Sequence, residues 1–531
     1  MNLIGNINAI PFRRFRGGGG VSPFPSITGM IARYSALGLT NEQMATNPVW
    51  VDKTGNGHDL QMKNFAWKGM SGVGGYGDEN YQTFYKFTLD DYVFMASPPG
   101  VKHMNFTFRV TGLQPGNKLT LTFFGTTNTA YGTWDKDGIY TVDADIVEAG
   151  KPTYFYNGYG ATRGEFTIEI LPLYSGALVF DGVDDYGICD NFPILTKEKG
   201  YTVVALRQWI TYNPNAISAI ATNASDRSFN GAFTFENYNK GAEQTISYGA
   251  TQISLQYSKS PFSWQTTFKY NGFNIANGNK DATNSLVLGR SYPQRNDFAN
   301  FAIWELVFLD HDATEEELTK IKDYFVKTYP WLFLDQAWTV TGKTNEDEDR
   351  ATIANITGNG NNLVLSNFGF AEGSGYNEEG EYAGYLVTDG VDDKIVSSVF
   401  VMGKDFTIVG DWKFIGNKKS NTGLVKGSSF YIYNTMIGLD LYINSGSVKN
   451  SLDGIKSINA ACSDGRVYDR NWNEILANTG NVVGSGGMLE VSSSGARFDR
   501  MAFKNLAIYP TILSKEDCIK AYNYLQTLKA K

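Results

Sequence analysis

The string D-G-V-D-D occurs twice, at residues 181–185 and 389–393, and its carboxylates are the first candidates for chemistry in this chain. Clustered carboxylates suit a hard cation such as calcium, which binds oxygen ligands. The same string also suits a tight turn, in which Asp side chains accept hydrogen bonds from nearby backbone N–H groups and the glycine takes a positive φ. We favour the turn and predict no cofactor, with calcium as the alternative.

The other residues that could form a catalytic site show no convincing motif. The three histidines, His58, His103 and His311, are too scattered for a zinc site, and no G-x-S-x-G string accompanies them. The glycine run at 17–20 lacks the Lys-Ser/Thr of a phosphate-binding loop. We therefore predict no catalytic residues, no metal site and no enzyme activity.

Aromatic side chains are the remaining lead, because sugar rings stack on the faces of Trp and Tyr. Trp67, Trp209 and Trp412 occur in strand-like segments, where packing in a core is the expected role. Trp134 and Trp472 lie near turns, so these two are better candidates for exposure and for contact with a glycan, with core packing as the alternative.

The first 28 residues differ in character from the rest of the chain. Apolar and basic residues alternate there ahead of the glycine run: Ile10, Phe12, Arg13, Arg14, Phe15 and Arg16. A glycine run is flexible, so we predict an anchoring arm that docks on a partner protein, with a disordered tail as the alternative. The basic cluster is too short to indicate nucleic acid. The apolar stretches are short and precede the charges, which is not the pattern of a signal peptide.

The elements that position these residues come in two copies. T-G-N-G-H-D-L at residues 54–60 recurs as T-G-N-G-N-N-L at 357–363, and T-N-E at 40–42 recurs at 344–346. A repeat of this length indicates two copies of one fold.

The spacing within the copies reveals an insertion. Thr54 and Asp181 are 127 positions apart, whereas Thr357 and Asp389 are 32 apart. The first copy therefore holds about 95 extra residues, the size of a small domain. The predicted organisation is an N-terminal anchoring arm at 1–28, a first sandwich at 29–82 and 173–331, an inserted module at 83–172, and a second sandwich at 332–531.

Strand patterns dominate the inserted module. Residues alternate in polarity at 106–110 and 119–123, and Pro115-Gly116 indicates a turn between them. The segments at 138–142 and 166–170 have the pattern of later strands of the same module. Several short strands joined by turns predict a small antiparallel sandwich of immunoglobulin type.

Each large copy ends in a helix pattern. Thr314 with Glu317 forms a capping box, and Ser514 with Asp517 nearly does so. Asn271-Gly272 predicts a hairpin in the first copy.

Composition excludes several classes of protein. No run of about 20 apolar residues exists, so we predict no membrane span. The net charge of −8 favours no polyanion partner. Three cysteines, Cys189, Cys462 and Cys518, imply no disulfide framework and favour folding in a reducing cytoplasm.

Both large copies resemble the concanavalin A-like, LamG/pentraxin-type lectin fold. The resemblance rests on L-V-F-D-G-V-D-D-Y at 178–186, the upstream T-G-N-G-H-D-L, Y-N-G at 270–272 and W-E-L-V-F-L-D at 304–310. It implies an all-β protein with two concanavalin A-like jelly-roll sandwiches, the first interrupted by an immunoglobulin-like β-sandwich. Glucanases of this superfamily carry E-x-D-x-E on a strand. The nearest string here, E-F-T-I-E at 165–169, has Thr in the centre and lies in the inserted module.

A longer segment of the second copy, from residue 342 to 368, resembles modules in virion proteins of crAss-like phages of gut Bacteroidota. This likeness implies a non-enzymatic head or tail fibre component, made in the host cytoplasm without a signal peptide and carried on the virion. Its partners would be capsid or tail proteins, further copies of itself in a homo-oligomer, and host-surface glycans. Two alternatives remain: a bacterial carbohydrate-binding protein and a polysaccharide-degrading enzyme.

Overall fold

The chain is described by a computed structural model. It covers residues 23–530 except 77–83, 88–91, 96–102, 114, 124–128, 146–152, 158–165, 197–198, 212–218, 225–232, 238–250, 258–267, 271–281, 291–296, 359, 372, 402, 404, 416–421, 427–429, 436–437, 444–445, 449–457, 477–485, 492, 495–496 and 499. The predicted all-β fold is confirmed, with two large sandwiches, a smaller inserted one and a short helix at the end of each large copy.

The first large sandwich begins before the insertion and is completed after it. Its opening elements are β1 (Met30–Ser35), α1 (Asn41–Thr46), β2 (Val49–Trp50), β3 (Leu60–Lys63) and β4 (Gly72–Val73). The inserted strands are β5 (Phe84–Phe87), β6 (Tyr92–Met95), β7 (His103–Thr111), β8 (Leu119–Phe123), β9 (Thr129–Trp134), β10 (Gly138–Asp145), β11 (Thr153–Asn157) and β12 (Phe166–Ile170). The first sandwich then resumes with β13 (Leu178–Asp181), β14 (Tyr186–Cys189), β15 (Thr202–Thr211), β16 (Ala219–Ala224), β17 (Thr234–Asn237), β18 (Gln252–Tyr257), β19 (Phe268–Tyr270), β20 (Ala282–Leu288), β21 (Asn300–Leu309) and α2 (Glu315–Thr328).

A short 3₁₀ helix, Pro330–Leu332, leads into the second large sandwich. Its elements are β22 (Gln336–Thr339), β23 (Thr352–Ile353), β24 (Leu363–Ser366), β25 (Gly375–Asn377), β26 (Tyr385–Val387), β27 (Lys394–Val401), β28 (Thr407–Phe414), β29 (Thr422–Lys426), β30 (Phe430–Thr435), β31 (Gly438–Ile443), β32 (Gly446–Val448), β33 (Ile458–Cys462), β34 (Val467–Asp469), β35 (Glu474–Leu476), β36 (Gly486–Val491), β37 (Ser493–Ser494), β38 (Arg497–Phe498), β39 (Met501–Tyr509) and α3 (Lys515–Leu525).

The two large sandwiches share one strand order. In the first, β4-β13-β21-β15-β18-β19 faces β17-β16-β20-β14-β3-β2. In the second, β25-β26-β39-β28-β33-β34-β35 faces β23-β24-β27-β36-β29-β30-β31-β32. The long strands β21 and β39 each pair with two short partners along one side, β13 and β1 in the first case and β26 and β22 in the second. One difference is that β19 runs parallel to β18, whereas β34 runs antiparallel to β33.

The strands of the inserted module form two further sheets, β10-β7-β12-β5 and β6-β11-β8-β9. Phe108 from the first sheet packs with Leu121 and Phe155 from the second in an apolar core of its own. The strand predictions for this module are confirmed, since 119–123 and 166–170 are β8 and β12 and the other two segments lie within β7 and β10. Gly116, in the predicted turn, has a φ of 89°.

Both predicted helix starts are observed. Glu317 N donates to Thr314 Oγ1 at 3.3 Å, and Thr314 N donates to Glu317 Oε2 at 2.8 Å, which completes the capping box. Asp517 N donates to Ser514 Oγ at 3.1 Å. No helix among the described residues has the length and apolar character needed to cross a bilayer. The predicted Asn271-Gly272 hairpin lies outside the described residues.

The helices α2 and α3 lie between the two large sandwiches. One continuous apolar core contains Trp304 and Phe325 from the first sandwich with its helix, and Tyr468, Trp472 and Tyr522 from the second with its helix. We call this cluster the shared core. Each sandwich also has its own core between its two sheets. The outer face of one sheet in each sandwich is therefore covered by the other half of the molecule.

Candidate functional site

The two acidic turns have the same geometry. In the first, Asp181 Oδ1 accepts the N–H groups of Val183 at 2.7 Å and Asp184 at 3.3 Å. The buried Asp185 accepts the Asp181 N–H through Oδ2 at 3.0 Å and the Ser71 hydroxyl through Oδ1 at 2.9 Å. Gly182 has a φ of 77°, as the turn prediction requires.

The second turn repeats these bonds. Asp389 Oδ1 accepts the Val391 N–H at 2.7 Å and the Asp392 N–H at 3.3 Å. Asp393 accepts the Asp389 N–H at 2.7 Å and the Ser374 hydroxyl at 3.0 Å. The acidic side chains therefore organise their own backbone.

The inner carboxyl of each turn ionises less readily than a free aspartate does. Burial, with the nearby Asp181 charge, raises the pKa of Asp185 to about 8, and burial raises the pKa of Asp393 to about 6. The three carboxylates of each turn lie within 4.8 Å of one another, close enough to share one ion. In each turn, however, the buried aspartate already accepts two fixed donors, a backbone N–H group and a serine hydroxyl, so its oxygens are engaged in holding the turn. We propose no metal at either turn.

The repeated T-G-N-G motif also serves the fold. Asp52 Oδ1, which precedes the motif, accepts the Arg33 N–H of β1 at 3.0 Å. The equivalent Asn355 Oδ1 accepts the Ala337 N–H of β22 at 3.2 Å. One side-chain oxygen in each copy therefore ties the motif to the first strand.

The repeated asparagine of T-N-E has an equally structural role. Asn41 accepts the Val73 N–H at 2.8 Å and donates to the Val73 carbonyl at 3.2 Å. Asn345 makes the same pair of bonds with Tyr376, both at 2.8 Å. The residues that the two copies share thus bond to their own chain.

The two tryptophans that are candidates for exposure are not equivalent. Trp472 is fully buried in the shared core, where its ring lies 5.7 Å from that of Tyr522 at 83°. As a candidate for exposure and glycan contact Trp472 is therefore wrong, because α3 covers it. Trp134 is half-buried and packs edge to face on Phe108 at 5.0 Å in the module core. Trp209 is buried, as predicted.

The predicted docking residues lie outside the described part of the chain: Ile10, Phe12, Arg13, Arg14, Phe15 and Arg16. Docking by these residues stays a prediction. The described chain begins at residue 23, and Phe24 contacts the first sandwich. The Arg33 guanidinium lies 4.1 Å from the ring centre of Phe24, and that ring packs edge to face on Tyr324 of α2 at 4.9 Å.

Beneath this contact lies a buried acid that the second copy lacks. Glu305 Oε2 lies 3.1 Å from Arg33 Nε, and Glu305 Oε1 accepts the hydroxyls of Ser35 at 2.7 Å and Tyr329 at 2.8 Å. Burial raises the pKa of Glu305, while Arg33 and these donors act in the opposite direction. The corresponding residue on β39 is Asn505.

The acidic string of the module gives no catalytic pair. Glu165 lies outside the described residues. Glu169 sits directly across from Arg109 on β7, and its Oε2 is 2.7 Å from Arg109 Nη1. Opposite charges across a strand pair stabilise the sheet, so Glu169 has a structural partner.

Arg109 also marks a cleft where the three sandwiches meet. The cleft has a volume of about 480 Å³ and lies between the turn that precedes α1, the module sheet containing β7, the 3₁₀ helix and α3. We call it the junction cleft. Its chemically distinctive lining residues are Tyr76, Arg109, Glu169, Trp331, Glu516 and Lys520.

The polar groups of the junction cleft hold one another in place. Arg109 Nη2 donates to both oxygens of Glu516 at 3.2 Å, which links the module to α3. Lys520 Nζ lies 4.1 Å from the ring centre of Trp331 and 3.1 Å from Asp517 Oδ1. Sequence reasoning missed this cleft, because its residues come from segments hundreds of positions apart and share no motif.

Comparison with known proteins assigns no family. No family model matches the chain, and no curated protein matches it. Among solved structures, it is similar to domain 4 of AbnA, an extracellular GH43 arabinanase from Geobacillus stearothermophilus, at 12% identity over 36% of this chain and 98% of that one, with a TM-score of 0.25. It is similar to Trypanosoma rangeli sialidase at 9% identity over 76% of both chains, with a TM-score of 0.25.

A third likeness is to the binding domain of Paraclostridial Mosquitocidal Protein 1, at 14% identity over 36% of this chain and 52% of that one, with a TM-score of 0.23. TM-scores at this level are too low to carry an argument about function.

Proposed function

We propose that this protein is a non-enzymatic structural component of a phage particle, in a head or tail fibre. It docks on capsid or tail proteins through its N-terminal arm and displays lectin-like sandwiches outward. The observation that carries this proposal is the shared core, which joins the two large sandwiches into one body. A displayed spacer has to hold its shape, and a large apolar interface between domains opposes relative motion.

The use of the repeated residues supports the same role. In an enzyme or a metal-dependent lectin, some repeated polar side chains would point their donors and acceptors at a ligand. Here the repeated Asp, Asn and Ser side chains bond to their own backbone or to one another. The residues common to the two copies therefore stabilise the fold, and a stable repeated fold suits a display protein.

The resemblance of the second copy to virion modules of crAss-like phages supports the particle assignment. In this proposal the protein is carried on the virion, as copies assembled into a homo-oligomer. The proposed boundaries are those of the repeat: 29–82 with 173–331, 83–172, and 332–531. Glycans of the host surface are the proposed outward ligands.

The arm is tested by deleting residues 1–22, which leaves Phe24 in place against Arg33 and Tyr324. Particles assembled with this variant and with the full chain are purified, and the protein is quantified by mass spectrometry. We expect the truncated chain to fold normally and to be lost from particles. Unimpaired incorporation would rule out the arm as the anchor.

A finer variant separates the arm's chemistry from its length. Replacing Phe12 and Phe15 by Ser removes apolar contacts and keeps every charge, while replacing the arginines at 13, 14 and 16 by Gln does the reverse. We expect the Phe variant to lose more incorporation, since the proposed partner is a protein surface. A loss confined to the Gln variant would instead indicate an acidic partner.

A further inference from the structure

We propose that the junction cleft is a binding site for a neutral, hydroxyl-rich ligand, namely a short oligosaccharide. This inference rests on the proposed display role for the source of the ligand, and it gives the outward ligand a location. The volume of about 480 Å³ lies within the roughly 300–1,000 Å³ of small-molecule sites. Sites of this kind also occur preferentially where domains meet.

The cleft holds its hydrogen-bonding groups in fixed positions. One guanidinium, that of Arg109, clamps the carboxylates of Glu169 and Glu516, whose side chains remain 44% and 53% exposed. Each ionised carboxylate has about four acceptor positions, and Arg109 occupies only part of them. Two preoriented acceptor groups therefore stay open to the cleft without needing to be ordered by a ligand.

The charges of the lining select the class of ligand. The cleft contains two cations, Arg109 and Lys520, and three carboxylates, Glu42, Glu169 and Glu516. A sulfated or sialylated ligand would bring its anion against those carboxylates, and like charges repel. A neutral hydroxyl can donate to a carboxylate and accept from an ammonium group, so sugars match both signs present here.

Aromatic groups complete the wall. Tyr76 and Trp331 border the cleft, and Trp331 is held from one side by the Lys520 ammonium group. The Tyr76 hydroxyl carries its proton at neutral pH, as any tyrosine does, and can serve as a donor. An apolar edge beside a few placed polar groups is the usual composition of a ligand site.

The cleft exists only in the assembled molecule. Arg109 comes from the inserted module, Glu42 from the first sandwich and Glu516 from α3 at the far end of the chain. The insertion therefore creates a surface that neither copy of the repeat has alone.

The test uses the full chain and a printed panel of neutral di- to tetrasaccharides beside sialylated and sulfated ones. Calorimetry then measures the affinity of the best neutral hit for the wild type and for Glu169→Ala, Glu516→Ala and Lys520→Met. The matched control is Glu316→Gln, an exposed glutamate on α2 that pairs with Lys320 outside the cleft. Thermal unfolding checks that each variant is folded. If a glutamate variant fails to fold, the affinity of Lys520→Met still tests the proposal.

We expect neutral oligosaccharides to bind to the wild type. Each cleft variant should bind them at least about tenfold more weakly, a loss of about 1.4 kcal/mol in binding free energy. The affinity of the control variant should be unchanged. Absence of binding at millimolar concentration, a preference for the anionic panel, or equal affinity in folded cleft variants would each overturn the proposal. Particle incorporation is read separately. A chain that is incorporated but binds no sugar refutes only the cleft, whereas a chain that binds sugar but never enters particles refutes the fibre role.

Discussion

The Ser71 hydroxyl donates to Asp185 across 114 residues of chain, whereas the equivalent bond from Ser374 to Asp393 spans only 19. The whole inserted module lies within the longer of these two loops. The insertion therefore entered at a place where both flanking segments could keep their contact. Loop-closure entropy grows only slowly with length, so the same bond can hold in both copies.

The buried acids of the two turns predict a pH dependence of stability. Their folded-state pKa values, about 8 for Asp185 and about 6 for Asp393, lie above the ordinary value of 3.8. The folded protein therefore binds these protons more tightly than the unfolded chain does, and stability falls as pH rises from about 4 through each folded-state pKa.

We expect Asp185→Asn to remove the part of this slope that extends up to pH 8, and Asp393→Asn to remove only a part that ends near pH 6. The free energy of unfolding, measured from pH 4 to 9, checks this. Superimposable pH profiles for the wild type and Asp185→Asn would contradict the assignment.

Replacing Asn41 by Ala should destabilise the first sandwich by about 1–3 kcal/mol, because both backbone groups of Val73 would lose their partner in a buried position. Asn345→Ala should have a similar effect through Tyr376. Denaturant unfolding with hydrogen exchange at β4 and β25 measures these losses. Gln43→Ala, an exposed change on the same helix as Asn41, should cost nothing measurable, and an equal loss there would mean that the effect does not come from the bonds to Val73.

The coupling between Arg33 and Glu305 can be tested with the residues that the second copy has at the corresponding positions. Arg33→Ala should cost about 3–5 kcal/mol, because it leaves a buried carboxylate without its cation. The double change Arg33→Ala with Glu305→Asn installs the Ala and Asn found at the corresponding positions of the second copy.

We expect the double variant to be more stable than the single one, as measured by thermal and denaturant unfolding. Additive losses in this double-mutant cycle would mean that the two side chains are not coupled.

Trp472 should behave as a core residue. Trp472→Ala should destabilise the second sandwich by about 3–5 kcal/mol, the usual cost of removing a large buried aromatic side chain. Val391→Ala, at a position that is 69% exposed, is the control and should change stability by less than about 0.5 kcal/mol. Hydrogen exchange of α3 provides the local readout, and unaltered protection of α3 would show that Trp472 does not support it.

Local patterns in the sequence were sufficient for the parts of the fold that local physics determines. The strand pattern at 166–170 became β12, and the capping box at Thr314 begins α2. The repeat predicted a common strand order because the same side chain at corresponding positions, such as Asn41 and Asn345, makes the same hydrogen bonds in both copies.

What could not be predicted is how the sandwiches meet. Trp472 lies beside a turn in the sequence, a position that favours exposure, but it is buried by Tyr522 from a helix 50 positions later. Arg109 and Glu516 are 407 residues apart. Neither residue carries a local signal of its partner, since contacts between domains depend on surfaces that exist only after each domain has folded.

The position of α3 has a consequence for synthesis. This helix is synthesised after the strands of both sandwiches, and its Tyr522 closes a core that includes Trp304 of the first sandwich. Any nascent chain cut short before α3 leaves apolar faces on both sandwiches open to water, which is the mark by which chaperones and proteases select their substrates. Synthesis of α3 is thereby coupled to concealment of those faces.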